Sequence, residues 1–316
     1  MSLTMRDAFG QKCAELGKTN SRLVVLDADV SSSTKTTYFA GAFPDRFFNC
    51  GVAEANMAGV AAGLAAAGLH PVINAFSIFL ALKSTDQIRN DFCYNKLPVV
   101  LAGAYGGLSD SFDGASHQAI TDIAIMRAMP NMEVIVPADN RQAGQALEYA
   151  LSRKNPVYIR LNRNEMPDLS PVGTAAEAKN FASREPLKLK NGYGVTIAAN
   201  GITASMCLEA AALLAKDGID AEVLSVPFVK PCGGKGLSES VKKTGRLVTV
   251  EEHTVVGGFG SACLEKLCKE GLSFAYDAIG IEDTFTETGP YIELLAAYGL
   301  SAKAIAKRVK SLVQFP

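Results

Sequence analysis

Several kinds of protein are excluded by what this chain does not contain. No run of about 18 apolar residues occurs, so nothing reads as a transmembrane helix. The longest near-apolar stretch, 57–69, is too short and is rich in Gly and Ala. The first residues, Met-Ser-Leu-Thr-Met-Arg-Asp, carry no apolar signal core. Neither sign of charge is in excess. A formal net charge of -1 gives no global attraction to nucleic acid or to an anionic membrane, and neither is expected as a partner. The seven cysteines (Cys13, Cys50, Cys93, Cys207, Cys232, Cys263 and Cys268) are odd in number, sit in apolar surroundings and form no Cys-x-x-Cys pair. They read as reduced, mostly buried thiols of a cytoplasmic protein. Cys263 and Cys268 fall on different faces of one predicted helix, which argues against a metal site there.

What is present is a soluble globular composition, 48% hydrophobic and 20% charged, over 316 residues. That length exceeds one typical core and suits two domains. Buried-strand and amphipathic-helix patterns alternate. Strands are predicted at 23–26, 72–76, 97–102, 134–136 and 156–160, with helices at 4–17, 54–68, 77–93, 120–129 and 141–153. Such alternation predicts a mostly parallel sheet with helices on both faces. Residues 166–190 are rich in Pro and charge without a periodic run, and read as a linker. A second alternating pattern follows, with strands at 194–199, 221–226, 246–250 and 274–279. Its helices fall at 203–216, 237–243, 257–270, 291–298 and 301–312. The expected fold class is α/β, with domains at 1–165 and 191–316.

Four places carry chemistry. The 54–68 helix has Gly59, Ala62, Gly63 and Ala66 at spacings of three and four, so one face is nearly bare and allows close backbone approach. Glu54 opens that helix; the positive end of a helix dipole favours such a residue whatever its function. Asp29 and Ser33 lie just past the first strand, where open α/β sheets place ligands and where ordinary caps also occur. The loop 103–118, glycine-rich and long, holds Asp113 and His117, one of three histidines in the chain. Arg163 follows the 156–160 strand as an exposed charge or an anion clamp. Glu251-Glu252-His253-Thr254 and Gly257-Gly258-Phe259-Gly260 end a strand and open a helix. Those glycines serve close packing, or the free N–H groups hold an anion; this is not a Gly-x-Gly-x-x-Gly fingerprint or a Walker loop.

In order, the chain shows Asp29, Gly-Val-Ala-Glu54, Phe-Ser-Ile-Phe79, Asp-Gly-Ala-Ser-His117-Gln, Met-Pro-Asn-Met-Glu-Val-Ile-Val-Pro-Ala-Asp, and Val-Glu-Glu-His-Thr-Val-Val-Gly-Gly-Phe-Gly. This combination resembles the carboxyl-terminal half of transketolases, which use thiamine diphosphate. The resemblance covers nearly the whole chain, as a pyrimidine-binding domain and a terminal domain. It implies that Glu54 bonds the ring nitrogen of the cofactor's aminopyrimidine and relays a proton in its activation. It further implies that Phe79 stacks on the pyrimidine, that Leu82 takes the place of a second pocket aromatic, and that Asp29 lies close to the cofactor. His117 falls near the reacting substrate and Asp113 at a position that reads substrate hydroxyls. Ser33 and Arg163 fall where a sugar phosphate binds. Tyr105 stands where full-length members often have histidine, and Phe112 where they often have glutamate; these departures leave cofactor binding in place and leave the sugar open, whether the usual pentose phosphate or a related sugar or sugar phosphate.

The family's Gly-Asp-Gly metal motif is not found, and residues 1–22 are too few for the diphosphate-binding domain. The resemblance therefore implies the second subunit of a split transketolase, transferring a two-carbon ketol unit between sugars. It implies Mg²⁺ or Ca²⁺ on a separate amino-terminal subunit, no metal site in this chain, and a homodimer or heterotetramer. The Gly/Ala face of the Glu54 helix is then a candidate packing surface. The alternatives are the beta subunit of a 2-oxo acid dehydrogenase, 1-deoxyxylulose-5-phosphate synthase-like chemistry, and a non-catalytic binding protein.

Overall fold

The computed structural model describes residues 3–169 and 181–314. Among these, six strands come first: β1 (Leu23–Asp27), β2 (Phe47–Asn49), β3 (His70–Phe76), β4 (Val100–Ala104), β5 (Glu133–Ile135) and β6 (Val157–Arg160). Six follow: β7 (Leu187–Lys190), β8 (Val195–Ala199), β9 (Ala221–Ser225), β10 (Phe228–Lys230), β11 (Arg246–Thr254) and β12 (Ala275–Ile281). The first sheet has the order β10-β5-β6-β4-β3-β1-β2 and the second β12-β11-β8-β9-β7. All pairings are parallel except β10 on β5 and β7 on β9.

The helices of the first part are α1 (Met5–Gly17), α2 (Ser31–Thr34), α3 (Thr37–Ala42), α4 (Glu54–Ala66), α5 (Ser77–Lys83), the single turn α6 (Thr85–Gln87), α7 (Asp122–Ala128) and α8 (Asn140–Leu151). Those of the second are α9 (Thr203–Lys216), α10 (Lys235–Thr244), α11 (Phe259–Lys269), α12 (Tyr291–Ala297) and α13 (Ala302–Gln314). Both faces of each sheet are covered because strand side chains alternate. In β1, Val24 and Leu26 join the cluster of Met57 and Ala61 from α4 and Leu80 from α5. Leu23 and Val25 join Met5 and Phe9 of α1 and Leu147 of α8. In β8, Val195 and Ile197 join Cys207 and Leu214 of α9 and Val309 of α13, while Ala198 joins Phe259 and Cys263 of α11. That last cluster is the same one that holds α4, so one apolar core runs from the first sheet into the second. The two-sheet α/β class and the helices on both faces agree with the sequence pattern. All seven cysteines are free thiols, four of them buried.

Several local expectations need correction. The segment read as linker contains β7, whose Leu187 and Leu189 point inward between the half-exposed Lys188 and Lys190. A four-residue alternation inside a Pro-rich stretch is too short to stand out as a strand. Residues 170–180 of that segment lie outside the described residues. α2 and α3 have no apolar period to announce them. They form because the buried Asp27 carboxylate accepts from Val30 N (2.6 Å), Thr34 Oγ1 (2.7 Å) and Thr36 Oγ1 (2.9 Å). The helix expected at 77–93 breaks after α5 at Ser84 and widens into a π-helix at Ile88–Tyr94. β11 runs on to Thr254, so Glu251, Glu252 and His253 lie within a buried strand.

Candidate functional site

The first sheet places its ligand-bearing edge by topology. β6, β4, β3 and β1 are neighbours, so the segments leaving their carboxyl ends converge on one rim. β1 leads into Asp29 and Ser33, β3 into α5 with Phe79 and Leu82, β4 into the loop with Tyr105, Asp113 and His117, and β6 into Arg163. Glu54 arrives at the start of α4, with its side chain 5% exposed.

An aromatic wall forms at the centre. Phe76, at the end of β3, meets Tyr105 (centroids 4.4 Å), Phe79 (5.9 Å) and His117 (6.2 Å). Phe79 meets His117 edge-on at 4.9 Å. The His117 ring is held from behind by Ser116 Oγ, 3.0 Å from Nδ1. Tyr105 adopts a positive φ of 61°, a backbone state that costs a non-glycine residue about 1 kcal/mol or more. Its ring is fixed there between two guanidiniums. Arg6 lies 4.8 Å and Arg163 4.9 Å from its centroid, and Arg6 Nη1 donates to its hydroxyl at 2.8 Å. Arg6 also donates to the carbonyls of Ser33 and Arg163. Burial pulls the Arg6 pKa down, opposed by its interaction with Tyr105. Arg6, Arg163, Tyr105 and Ser33 therefore make one cationic corner.

Lys83 is the other addition that sequence reasoning missed. Its Nζ donates to Glu54 Oε1 at 3.0 Å and lies 3.9 Å from the centre of the Phe79 ring. One ammonium thus covers both the carboxylate and the aromatic face that a flat heterocycle would use. Two expected residues lie apart from this cluster. Asp29 is exposed, at φ 65°, and its carboxylate accepts from Asn49 Nδ2 at 2.7 Å. Leu82 is 55% exposed and points outward from α5. Arg6 had one sequence signal, a charge beside the buried Met5 of an amphipathic helix. Lys83 had only its position one turn beyond Phe79.

A buried charge cluster holds the β4 loop from the second sheet. Arg160 donates to Asp122 Oδ2 (2.9 Å) and to the carbonyls of Ala119 (2.6 Å) and Glu252 (2.9 Å), and Tyr158 donates to Asp122 at 2.6 Å. Glu252 accepts from Leu108 N at 2.8 Å. Burial pushes both Glu251 and Glu252 up to about 7 and the His253 imidazole down to about 4. Glu251 accepts from Phe259 N (2.6 Å) and Gly260 N (2.8 Å). The N–H groups that open α11, which an anion could have used, are therefore already taken by an internal carboxylate. Gln118 donates to the carbonyl of Glu287 at 3.0 Å and accepts from Thr286, tying the His117 segment to the second domain. Among the described residues no three His, Cys, Asp or Glu side chains gather as a metal site, and no helix is long and apolar enough to cross a membrane.

Comparison with known proteins adds lineage to this geometry. Residues 1–168 match the transketolase pyrimidine-binding domain and residues 186–305 the transketolase C-terminal domain. The chain is 41% identical to a Methanocaldococcus jannaschii protein described as a transketolase C-terminal section, over 96% of this chain and 95% of that one. It is 36% identical to the 6-deoxy-6-sulfo-D-fructose transketolase subunit of a Clostridium species, over 98% and 94%. It is also 36% identical to 1-deoxy-D-xylulose-5-phosphate synthase of Symbiobacterium thermophilum, spanning 99% of this chain but 47% of that enzyme. A solved split-gene transketolase, described as an inactive beta4 tetramer, superposes with a TM-score of 0.89 at 42% identity, covering 98% of both chains.

Proposed function

The chain belongs to the transketolase family, and on that premise we propose that it is one subunit of a thiamine-diphosphate-dependent ketol transferase. It acts with a separate subunit that binds the diphosphate and its Mg²⁺ or Ca²⁺. The observation that carries this reading is a buried carboxylate, Glu54, bonded through Lys83 to the half-exposed face of Phe79. An aminopyrimidine needs one acidic hydrogen-bonding group and one flat apolar surface, and these residues supply both. The fit requires Lys83 to swing aside; its side chain is 46% exposed and free to do so.

When bound, thiamine diphosphate supplies the nucleophilic carbon and the electron sink of ketol transfer. The remaining work falls to this chain's residues. Glu54 holds a proton at the pyrimidine ring nitrogen. Phe79 and Phe76 exclude water from that face. His117, against Phe79, moves a proton at the substrate oxygen nearest the transferred carbons. Asp113 accepts from a substrate hydroxyl. Arg6, Arg163 and Ser33 take the anionic end of the sugar, where guanidiniums match a phosphate or sulfonate.

The test is cleavage of donor sugars by this chain, alone and mixed with a diphosphate-binding subunit, with thiamine diphosphate and Mg²⁺. Donors should include phosphorylated, sulfonated and plain ketoses. Activity in the mixture alone, abolished by Glu54→Ala, supports the proposal. Turnover of pyruvate with glyceraldehyde 3-phosphate, and of no ketose, would replace it with synthase chemistry.

A further inference from the structure

Arg163 does not stand free in the cationic corner. Its Nη1 donates to Oδ1 of Asp110 at 2.9 Å, and the Asp110 side chain is wholly buried. Asp110 lies on the same loop as Asp113 and His117 and plays no part in the chemistry assigned above. Its second oxygen, Oδ2, is buried with no donor in reach. The Asp113 carboxyl is a hydrogen-bonding neighbour of the Asp110 carboxyl. Two carboxylates are acceptors only, so this contact is a hydrogen bond only when one of them carries a proton.

We propose that Asp110 and Asp113 form a proton-sharing pair that sets the charge of the anion-binding corner, so that this site binds the anionic end of a sugar together with one proton. The proposal rests on the reading of Arg6 and Arg163 as an anion site. The charge count supports it. Two guanidiniums face two carboxyls. With both ionised the corner is neutral and repays an anion little. With one proton held between them it carries one net positive charge, which matches a sulfonate or a singly charged phosphate. The groups facing Asp110 are Asp113 on the same loop, Arg163 after β6, with Arg6 of α1 behind it, and the imidazole of His117; Asp7 of α1 also faces Arg6 but is offset by Lys35 at 4.0 Å, which leaves the count unchanged. Burial, then the neighbouring Asp113, raises Asp110 to about 6, so the proton is exchanged near that pH. Asp110 is thus a specificity-determining residue. It ties Arg163 from the protein side and lets it act on an anion only as the pair takes up its proton.

The experiment is binding of a non-titrating probe, glucose 6-sulfate, to the full chain by calorimetry at several pH values and in two buffers of different ionisation enthalpy. A sulfate ester keeps its charge throughout, whereas a phosphate ester titrates near this range itself. The expected result is uptake of close to one proton per sugar and affinity that rises as pH falls toward 6, by up to about tenfold per pH unit. Asp110→Asn and Asp113→Asn should each bind the probe with no proton uptake. Binding by the wild-type chain with no proton uptake overturns the proposal alone. Uptake that persists in both variants also overturns it. Absence of binding at every pH overturns the anion-site reading and the proposal with it.

Discussion

Lys83 is the residue whose replacement is most informative. Its ammonium holds Glu54 and covers Phe79, so a pyrimidine binding as proposed above would have to displace it from both. At 3.0 Å a unit charge pair is worth about 1.4 kcal/mol in bulk water and about 5.5 kcal/mol at an effective dielectric of 20. Lys83 is 46% exposed, which brings the net value down to about 1 kcal/mol. The contact with the Phe79 ring adds about 0.5–1 kcal/mol. Lys83→Met keeps the apolar stem and removes both terms. Cofactor affinity should then rise by about ten- to thirtyfold, the equivalent of about 1.5–2 kcal/mol. The assay is calorimetric titration of thiamine diphosphate with Mg²⁺ into the reconstituted pair of subunits. Unchanged or weaker binding would refute the argument and make Lys83 a contact of the bound cofactor.

Three further outcomes can be measured. A side chain added at Gly59 or Gly63 meets nothing within the chain, so Gly63→Leu should leave the fold intact or slightly stabler while sedimentation shows a smaller assembly; full assembly would show that this face is not an interface. Asp122→Ala strips the fully buried Arg160 and Tyr158 of their shared acceptor and should cost about 3–5 kcal/mol in urea unfolding, where a loss under about 1 kcal/mol would count against the cluster as a structural core. Stability should also fall as pH rises from about 5 to 7. Glu251, Glu252 and Asp110 keep protons in the native state that the unfolded chain has released, so the native state binds more of them in this window. His253, neutral when folded and pushed down to about 4, works in the opposite sense below its ordinary value but is one group against three. A urea midpoint higher at about pH 7.5 than at about pH 5.5 would contradict this, and Glu252→Gln should flatten the slope.

Most of the architecture was legible because it is written in local periodicity. Strands such as β1 and β8 and helices such as α1 and α9 differ from their expected bounds by a few residues at most. The parts that were not legible depend on contacts distant in sequence. α2 and α3 exist through a carboxylate four and ten residues before their first residues, and β10 is three residues of the second half of the chain bound to a strand of the first. The same holds at the candidate site. Glu54, Phe79, Asp113, His117 and Arg163 could be named from motifs. Arg6 acquires meaning only beside Tyr105, 99 residues away, and Asp110 only beside Arg163, 53 residues away. The strand β11 misled in a further way. Three consecutive polar residues, Glu251 to His253, look like a loop until each is seen to have a buried partner.

The antiparallel strand β10 makes the two halves of this chain less modular than their two sheets suggest. Phe228 is fully buried, edge-on to Tyr149 at 5.1 Å and tilted against Phe181 at 4.9 Å, and its strand closes the exposed side of β5. A fragment ending near residue 169 would keep six parallel strands yet present a bare row of amide and carbonyl groups along β5, with an apolar hollow beside Tyr149. That is a template for strand addition by any passing chain. The first half is therefore unsuited to an independent existence: produced alone it should aggregate, and in the intact chain it should melt together with the second half as one cooperative body.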